Sequence, residues 1–155
     1  MSDYSTSLTV QQSADEVYAA ILNVGGWWTG EIEGRADEVG VEFAYRHLPQ
    51  HYSLQRVVEL EPGRRVAWQV VDSKLAFVSE PSEWTGSQIV FDIAPAAAGS
   101  APEHLRAGST ELRFTHIGLV LDVECFGACS TAWRHYVNGS LHSLITTGEG
   151  LPDPW

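Results

Sequence analysis

Positive charge is scarce in this sequence. Nine Lys and Arg stand against twenty Asp and Glu in 155 residues, for a formal net charge of −11. So few cations argue against nucleic acid, whose phosphates call for clustered Lys and Arg. They argue equally against an anionic membrane surface. No run is long and apolar enough to span a bilayer, so no membrane insertion is expected. The opening MSDYSTSLTV has neither a basic region nor an apolar core and does not read as a secretory signal. A cytoplasmic location is expected by default.

Cysteine is nearly missing as well. Cys125 and Cys129 sit four apart, a spacing with poor disulfide geometry on one helical turn. Two buried free thiols are expected in a reducing compartment.

Much catalytic equipment is absent. There is no G-x-S-x-G nucleophile elbow and no glycine loop for phosphates. Cys129 and His135 are six apart on a helix and point in different directions, so they form no local dyad. His47 and His51 have Pro49 between them, which makes a loop and not a helical ligand pair. Cys125, Cys129 and His116 lack the usual zinc spacing. Glu80, Glu83, Asp122 and Glu124 read as solvated loop charges. No metal, no cofactor and no catalytic residue is assigned, and a binding role is expected ahead of an enzymatic one.

What is present is an ordinary apolar fraction, 44%, which places the chain among globular proteins and not disordered ones. The length suits one domain over residues 1–155. Tyr4, Thr6, Leu8 and Val10 alternate with polar residues, as in a half-buried strand. Ser13-Ala14-Asp15-Glu16 has the form of a capping box and opens a helix with Ala14, Val17, Tyr18, Ile21 and Leu22 on one face. Gly25-Gly26 is expected to end it, and Trp27-Trp28 to form a helical turn that closes one end of the core.

From Glu31 to His116 the pattern is of strands. Glu31–Ala36 is weak. Val41, Phe43 and Tyr45 alternate inward. After a turn at Leu48-Pro49-Gln50, Leu54, Val58 and Leu60 share a face. Glu61-Pro62-Gly63 is a turn signature. Val66, Trp68 and Val70 form the next inward set. Leu75 and Phe77, within Lys74–Pro81, suggest a short edge strand. Ile89, Phe91 and Ile93 follow, then a long hairpin loop over Pro95–Gly108. Leu112, Phe114 and His116 close the sheet.

The last element is the largest. Over Phe126–Thr147, Phe126, Cys129, Ser130, Trp133, Val137, Ser140, Leu141 and Leu144 fall on one helical stripe. Gly148 suits the left-handed position after the helix end. The order is strand, helix, about six strands, long helix. Short connections favour an antiparallel meander, and one sheet face needs a cover. An α+β sandwich of sheet and C-terminal helix follows.

These segments resemble the SRPBCC, or START-related, superfamily, whose birch-pollen-allergen-like fold is called helix-grip. The carriers are Ser13-Ala14-Asp15-Glu16-Val17-Tyr18, Trp27 to Gly34, Val66 to Val70 and Glu83 to Ser87. Leu112 to Leu119 and Cys125 through Trp133 to Gly148 complete them, so the likeness spans essentially the whole chain. Within the superfamily the chain looks most like the activator of heat-shock-protein ATPase homologue-like family. The resemblance implies a curved antiparallel sheet of about six to seven strands wrapped around a long C-terminal helix, with a short helix after the first strand. It also implies a cavity between sheet and helix, in a fold that serves lipid carriers, hormone receptors, polyketide cyclases and co-chaperone domains alike.

In such a fold, Phe43, Tyr45, Trp68, Phe91, Phe114 and His116 line the sheet side. Trp133, Val137, Ser140, Leu141 and Leu144 line the helix side. The lining suits an apolar or amphipathic small molecule, and equally a filled core. His116 suits either a ligand contact or a structural hydrogen bond; Tyr45 and Ser140 could orient a polar ligand tip. Trp27, Trp28 and Trp84 either gate the cavity mouth or plug the sheet ends. An enzyme of cyclase, aromatase or hydrolase type would use His116 or Tyr45 as acid or base in the same cavity. A co-chaperone-type interaction module with a chaperone partner is the third reading, and a homodimer through a free sheet edge is compatible with the topology.

Overall fold

The computed structural model of the protein describes residues 3–28, 31–47, 51–76, 79, 82–95, 109–120 and 126–151. β1 spans Tyr4–Val10 and α1 spans Ala14–Leu22, followed by a single 3-10 turn at Val24–Gly26. Then come β2 (Glu31–Gly34), β3 (Glu42–His47), β4 (His51–Glu61), β5 (Arg65–Leu75), β6 (Gln88–Pro95) and β7 (Thr110–Ile117). The C-terminal helix has three joined segments: α2 (Phe126–Trp133), a π-helical segment (Arg134–Leu141) and α3 (His142–Thr147).

The seven strands form one sheet in the order β1-β7-β6-β5-β4-β3-β2, with every pairing antiparallel. This is the α+β helix-grip architecture, and β2 to β7 run as the expected meander. The alternation in β1 is as the sequence implies, with Tyr4, Leu8 and Val10 buried and Ser5 and Ser7 exposed. Ser13 caps α1 by accepting the Glu16 amide at 3.2 Å. The helix ends at Asn23, ahead of the glycines, because the Asn23 amide already bonds back to the carbonyls of Ala19 and Ala20. Val17 and Ile21 are fully buried, so α1 shares with the C-terminal helix the work of covering the sheet.

In three places the sequence reading is corrected. The inward face of β4 carries His51, Ser53, Gln55 and Val57 in place of Leu54 and Val58; Leu60, beyond the register shift between Val57 and Glu59, does pack against the core. Register decides this: Ser53 pairs with Tyr45 and Gln55 with Phe43, and both rings point into the core. A one-residue slip would turn every side chain over, so the partner strand overrides the apolar pattern of β4 itself. Second, Leu75 ends the long central strand β5 and is fully buried. It is not in an edge strand, and Phe77 lies outside the described residues. Third, Ile145 is buried in α3 and Leu144 only half so. The i→i+5 bonding of the π segment widens the turn, so Trp133, Val137, Leu141 and Ile145, each four apart, stay on one buried line.

Gly148 takes the left-handed conformation at φ 87° and its amide bonds to the Leu144 carbonyl, ending the helix as expected. The outer face of the sheet is held by cross-strand ion pairs, Arg56 with Glu42 at 2.8 Å and Arg65 with both Glu59 and Asp92. No helix among the described residues is long and apolar enough to cross a membrane. The Leu48-Pro49-Gln50 turn and residues 96–108 lie outside the described residues.

Candidate site between sheet and helix

The buried face of the sheet meets the C-terminal helix, and its inward rings meet in sequence. Phe43 lies edge-on to Trp68 at 4.8 Å, Trp68 to Phe91 at 5.0 Å and Phe91 to Phe114 at 5.2 Å. Phe114 then meets Trp133 on the helix at 4.7 Å. Val137, Ser140 and Leu141 are buried on the helix side. Ten of the eleven expected lining residues therefore share one interior, with Leu144 at its border. They are packed ring against ring, as protein cores are.

Space remains at one end. A gap of about 10 Å³ is surrounded by Trp28, Tyr45, His51, Trp84, Trp133 and Tyr136. Trp28 stacks on Tyr45 at 4.1 Å, Trp84 on Trp133 at 5.7 Å, and His51 stands edge-on to Trp84 at 4.5 Å. These rings come from the turn after α1, from β3 and β4, from the β5–β6 connection and from the helix. Cys129 and Ala132 of the helix complete the wall. Trp27, Trp28 and Trp84 are all buried; Trp28 and Trp84 border the gap, while Trp27 donates its indole N–H to the Ile21 carbonyl at 3.2 Å. His51, Tyr136, Cys129 and Ala132 were not foreseen as lining. The inward phase of β4, read from its pairing with Tyr45, is the signal that finds His51. Cys129 is disulfide-bonded, so the expected free thiol is corrected there; Cys125 lies outside the described residues.

His116 is fully engaged. The Trp133 indole N–H donates to its Nδ1 at 3.0 Å, which requires the proton to be on Nε2. Nε2–H then donates to Ser87 Oγ at 2.8 Å, and the Ser87 hydroxyl donates to the Trp84 carbonyl at 2.6 Å. Burial pushes the imidazole down to about 3, so it stays neutral at ordinary pH. With both nitrogens spent, His116 fixes helix, strand and the Trp84 turn together, and it has no proton to exchange near neutrality. Ser140 is spent in the same way: its hydroxyl donates to the Trp27 carbonyl at 2.7 Å and accepts the Leu151 amide at 2.8 Å.

The inward face of β4 differs. Ser53 and Gln55 are fully buried. The Ser53 hydroxyl, both amide atoms of Gln55 and the Trp68 indole nitrogen have no hydrogen-bond partner among the described residues. Each such group costs about 1–3 kcal/mol when left unpaired. Ser53 and Gln55 follow His51 at two-residue steps, so Gln55 lies about 13 Å inward of the gap at ordinary strand rise.

No family model matches the chain, and no curated protein matches it. Solved structures do. The solution structure of the Aha1 dimer from Colwellia psychrerythraea superposes with a TM-score of 0.72, covering 97% of this chain and 100% of that one at 23% identity. DynU16, from the dynemicin biosynthetic locus, gives 0.65 over 97% of this chain at 15% identity; the chain spans 49% of DynU16's length. MLL2253 from Mesorhizobium loti gives 0.65 at 16% identity, covering 92% of this chain and 96% of that one. Together they show that the chain shares the α+β helix-grip fold.

Proposed function

We propose that the protein binds a small, ring-containing apolar molecule between its sheet and its C-terminal helix, admitted at the gap beside Ala132. One observation carries this reading: six aromatic or imidazole rings from five chain segments converge on a gap whose wall Cys129 and Ala132 complete. Large ring faces with few polar groups are the lining expected of a small-molecule site. The gap itself is smaller than any such ligand, so occupation displaces a ring. Trp84 is the candidate to move, because it sits on a turn and not within a strand. Its indole nitrogen has no hydrogen-bond partner to give up.

The test is native mass spectrometry of freshly purified protein, with naphthalene titrated by calorimetry as an apolar probe. A retained mass that leaves on denaturation, or saturable naphthalene binding, supports the reading. A clean mass together with no naphthalene binding ends it. The likeness to a dimer favours one further proposal, that this chain also self-associates. The same native spectrum reads the assembly, and a monomer at all concentrations would overturn it.

A further inference from the structure

The sheet has two outer strands, and they are finished differently. β1 is closed from the side: Asn138 of the helix accepts the Thr6 hydroxyl at 3.1 Å and donates to the Ser7 carbonyl at 3.3 Å. β2 has no such cover. The Val57 amide bonds the Val41 carbonyl, so alternate residues of β3, Phe43 and Tyr45 among them, turn their backbone groups to β4. Ala44 and Arg46 turn theirs to Glu33 and Glu31 of β2. The N–H and C=O of Ile32 and Gly34 are left on the open side, with no hydrogen-bond partner among the described residues.

Beside this edge lies a groove of about 360 Å³, between β2 and the turn that follows α1. Its apolar floor is Leu22, Val24, Ile32, Ala36 and Phe43. Ile32 and Gly34 face this side, because they stand opposite the inward rings Tyr45 and Phe43. Gly34 puts no side chain between an incoming group and Phe43. Glu31 and Glu33 face the other way. At the rim, Arg35 is engaged by Asp37 and Glu38. Edge and rim thus set Glu31, Glu33, Asp37 and Glu38 against Arg35 and Arg46.

We propose that β2 receives an extended segment of a partner protein, alternating apolar and basic residues, added antiparallel along its open edge. Successive side chains of a strand point to opposite faces. The apolar ones enter the groove beside Ile32 and Gly34, and the basic ones lie beside Glu31 and Glu33. A second copy of this chain suits the edge less well. β2 laid antiparallel on β2 brings Glu31 and Glu33 beside their own counterparts, and like charges across a ladder repel. The groove shares no lining residue with the ring-lined gap, so this proposal stands apart from the small-molecule reading.

The probe is the end-blocked peptide Lys-Val-Lys-Leu-Lys, titrated against the labelled chain while backbone amide shifts are followed. Saturable shifts are expected at Ile32 and Gly34. Methylating the valine and leucine amides deletes the strand bonds and should weaken binding about tenfold. The acidic peptide Glu-Val-Glu-Leu-Glu should bind about tenfold more weakly or worse. Glu31→Lys should cost the basic peptide about two- to fivefold. Gly25→Leu fills the groove from the opposite wall, and its backbone is not in the left-handed region. A Cβ there meets only Ile32, at 3.9 Å, so the fold should stand while the basic peptide weakens about tenfold.

No shift at Ile32 and Gly34 with the basic peptide overturns the proposal. So does binding that methylation and Gly25→Leu both leave unchanged, which would be attraction to acidic surface alone. Equal binding of the acidic peptide overturns the basic pattern. Shifts at Ile32 and Gly34 that grow with protein concentration, without peptide, would give the edge to a second copy and overturn it too.

Discussion

The indole nitrogen of Trp133 and Nδ1 of His116 are 3.0 Å apart, and this one contact ties the C-terminal helix to the last strand of the sheet. It also dictates the rest of the chain of donors. Because Nδ1 accepts, Nε2 carries the proton; because Nε2 donates to Ser87, the serine hydroxyl is free to donate to the Trp84 carbonyl. The tryptophan whose backbone ends the relay stacks on the tryptophan that starts it.

Trp133→Phe keeps a ring in place and deletes the donor. His116 Nδ1 is then buried without a partner. The expected cost is about 2–5 kcal/mol, combining the unmade hydrogen bond with lost ring volume. Urea denaturation measures it, and a double-mutant cycle with His116→Gln should return a coupling of about 0.5–3 kcal/mol. Additive single effects would show that the contact carries no energy of its own.

Acid should unfold the protein partly through His116. Its folded value is about 3, below the ordinary 6.5. Between those values the unfolded chain binds a proton that the folded one refuses, so stability is full above about pH 6.5 and falls as pH drops toward 3. The expected slope from this group is about 1.4 kcal/mol per pH unit in that window. The quantity to compare is the difference between wild type and His116→Gln, whose curve should be flatter. Parallel curves would remove His116 as the cause.

Ser140→Ala removes one hydroxyl that serves two partners, the Trp27 carbonyl and the Leu151 amide. A loss of about 1–3 kcal/mol is expected, with faster amide exchange at Leu151 as the local signature. Ligand affinity should follow stability and nothing more, since the hydroxyl's one proton is already committed to the Trp27 carbonyl.

Ala132→Phe fills the gap at its weakest wall. The side chain is half-buried at the rim, so the fold should survive. Naphthalene binding should weaken by tenfold or more in calorimetry. Unchanged binding would place the site elsewhere.

How far the sequence could be read follows from where its signals lie. The alternation of β1, the Ser13 cap and Gly148 are local, and each is present as the pattern implies. The inward rings Phe43, Trp68, Phe91 and Phe114 were legible because each strand's alternation is intact there. β4 was misread because its outward residues, Leu54 and Val58, are the apolar ones, and only the pairing with β3 reveals the true face. The buried line on α3 was misread by one residue because nothing in the sequence announces a π segment. His116 was visible as inward, yet its partners are 17 and 29 residues away and invisible to any local rule. Ser53 and Gln55, the buried polar pair of β4, were hidden by the same error of face.

The strand order has a further consequence for how the molecule is made. β2 to β7 each pair with a neighbour in sequence and can join the sheet as they leave the ribosome. β1 cannot, because its only strand partner is β7, with Tyr4 opposite His116. Its side-chain tie to the helix is later still, from Thr6 to Asn138, 132 residues on. Of the seven strands described, the first in sequence is thus the last to be seated, and until then β7 presents an open edge to whatever chain is nearest.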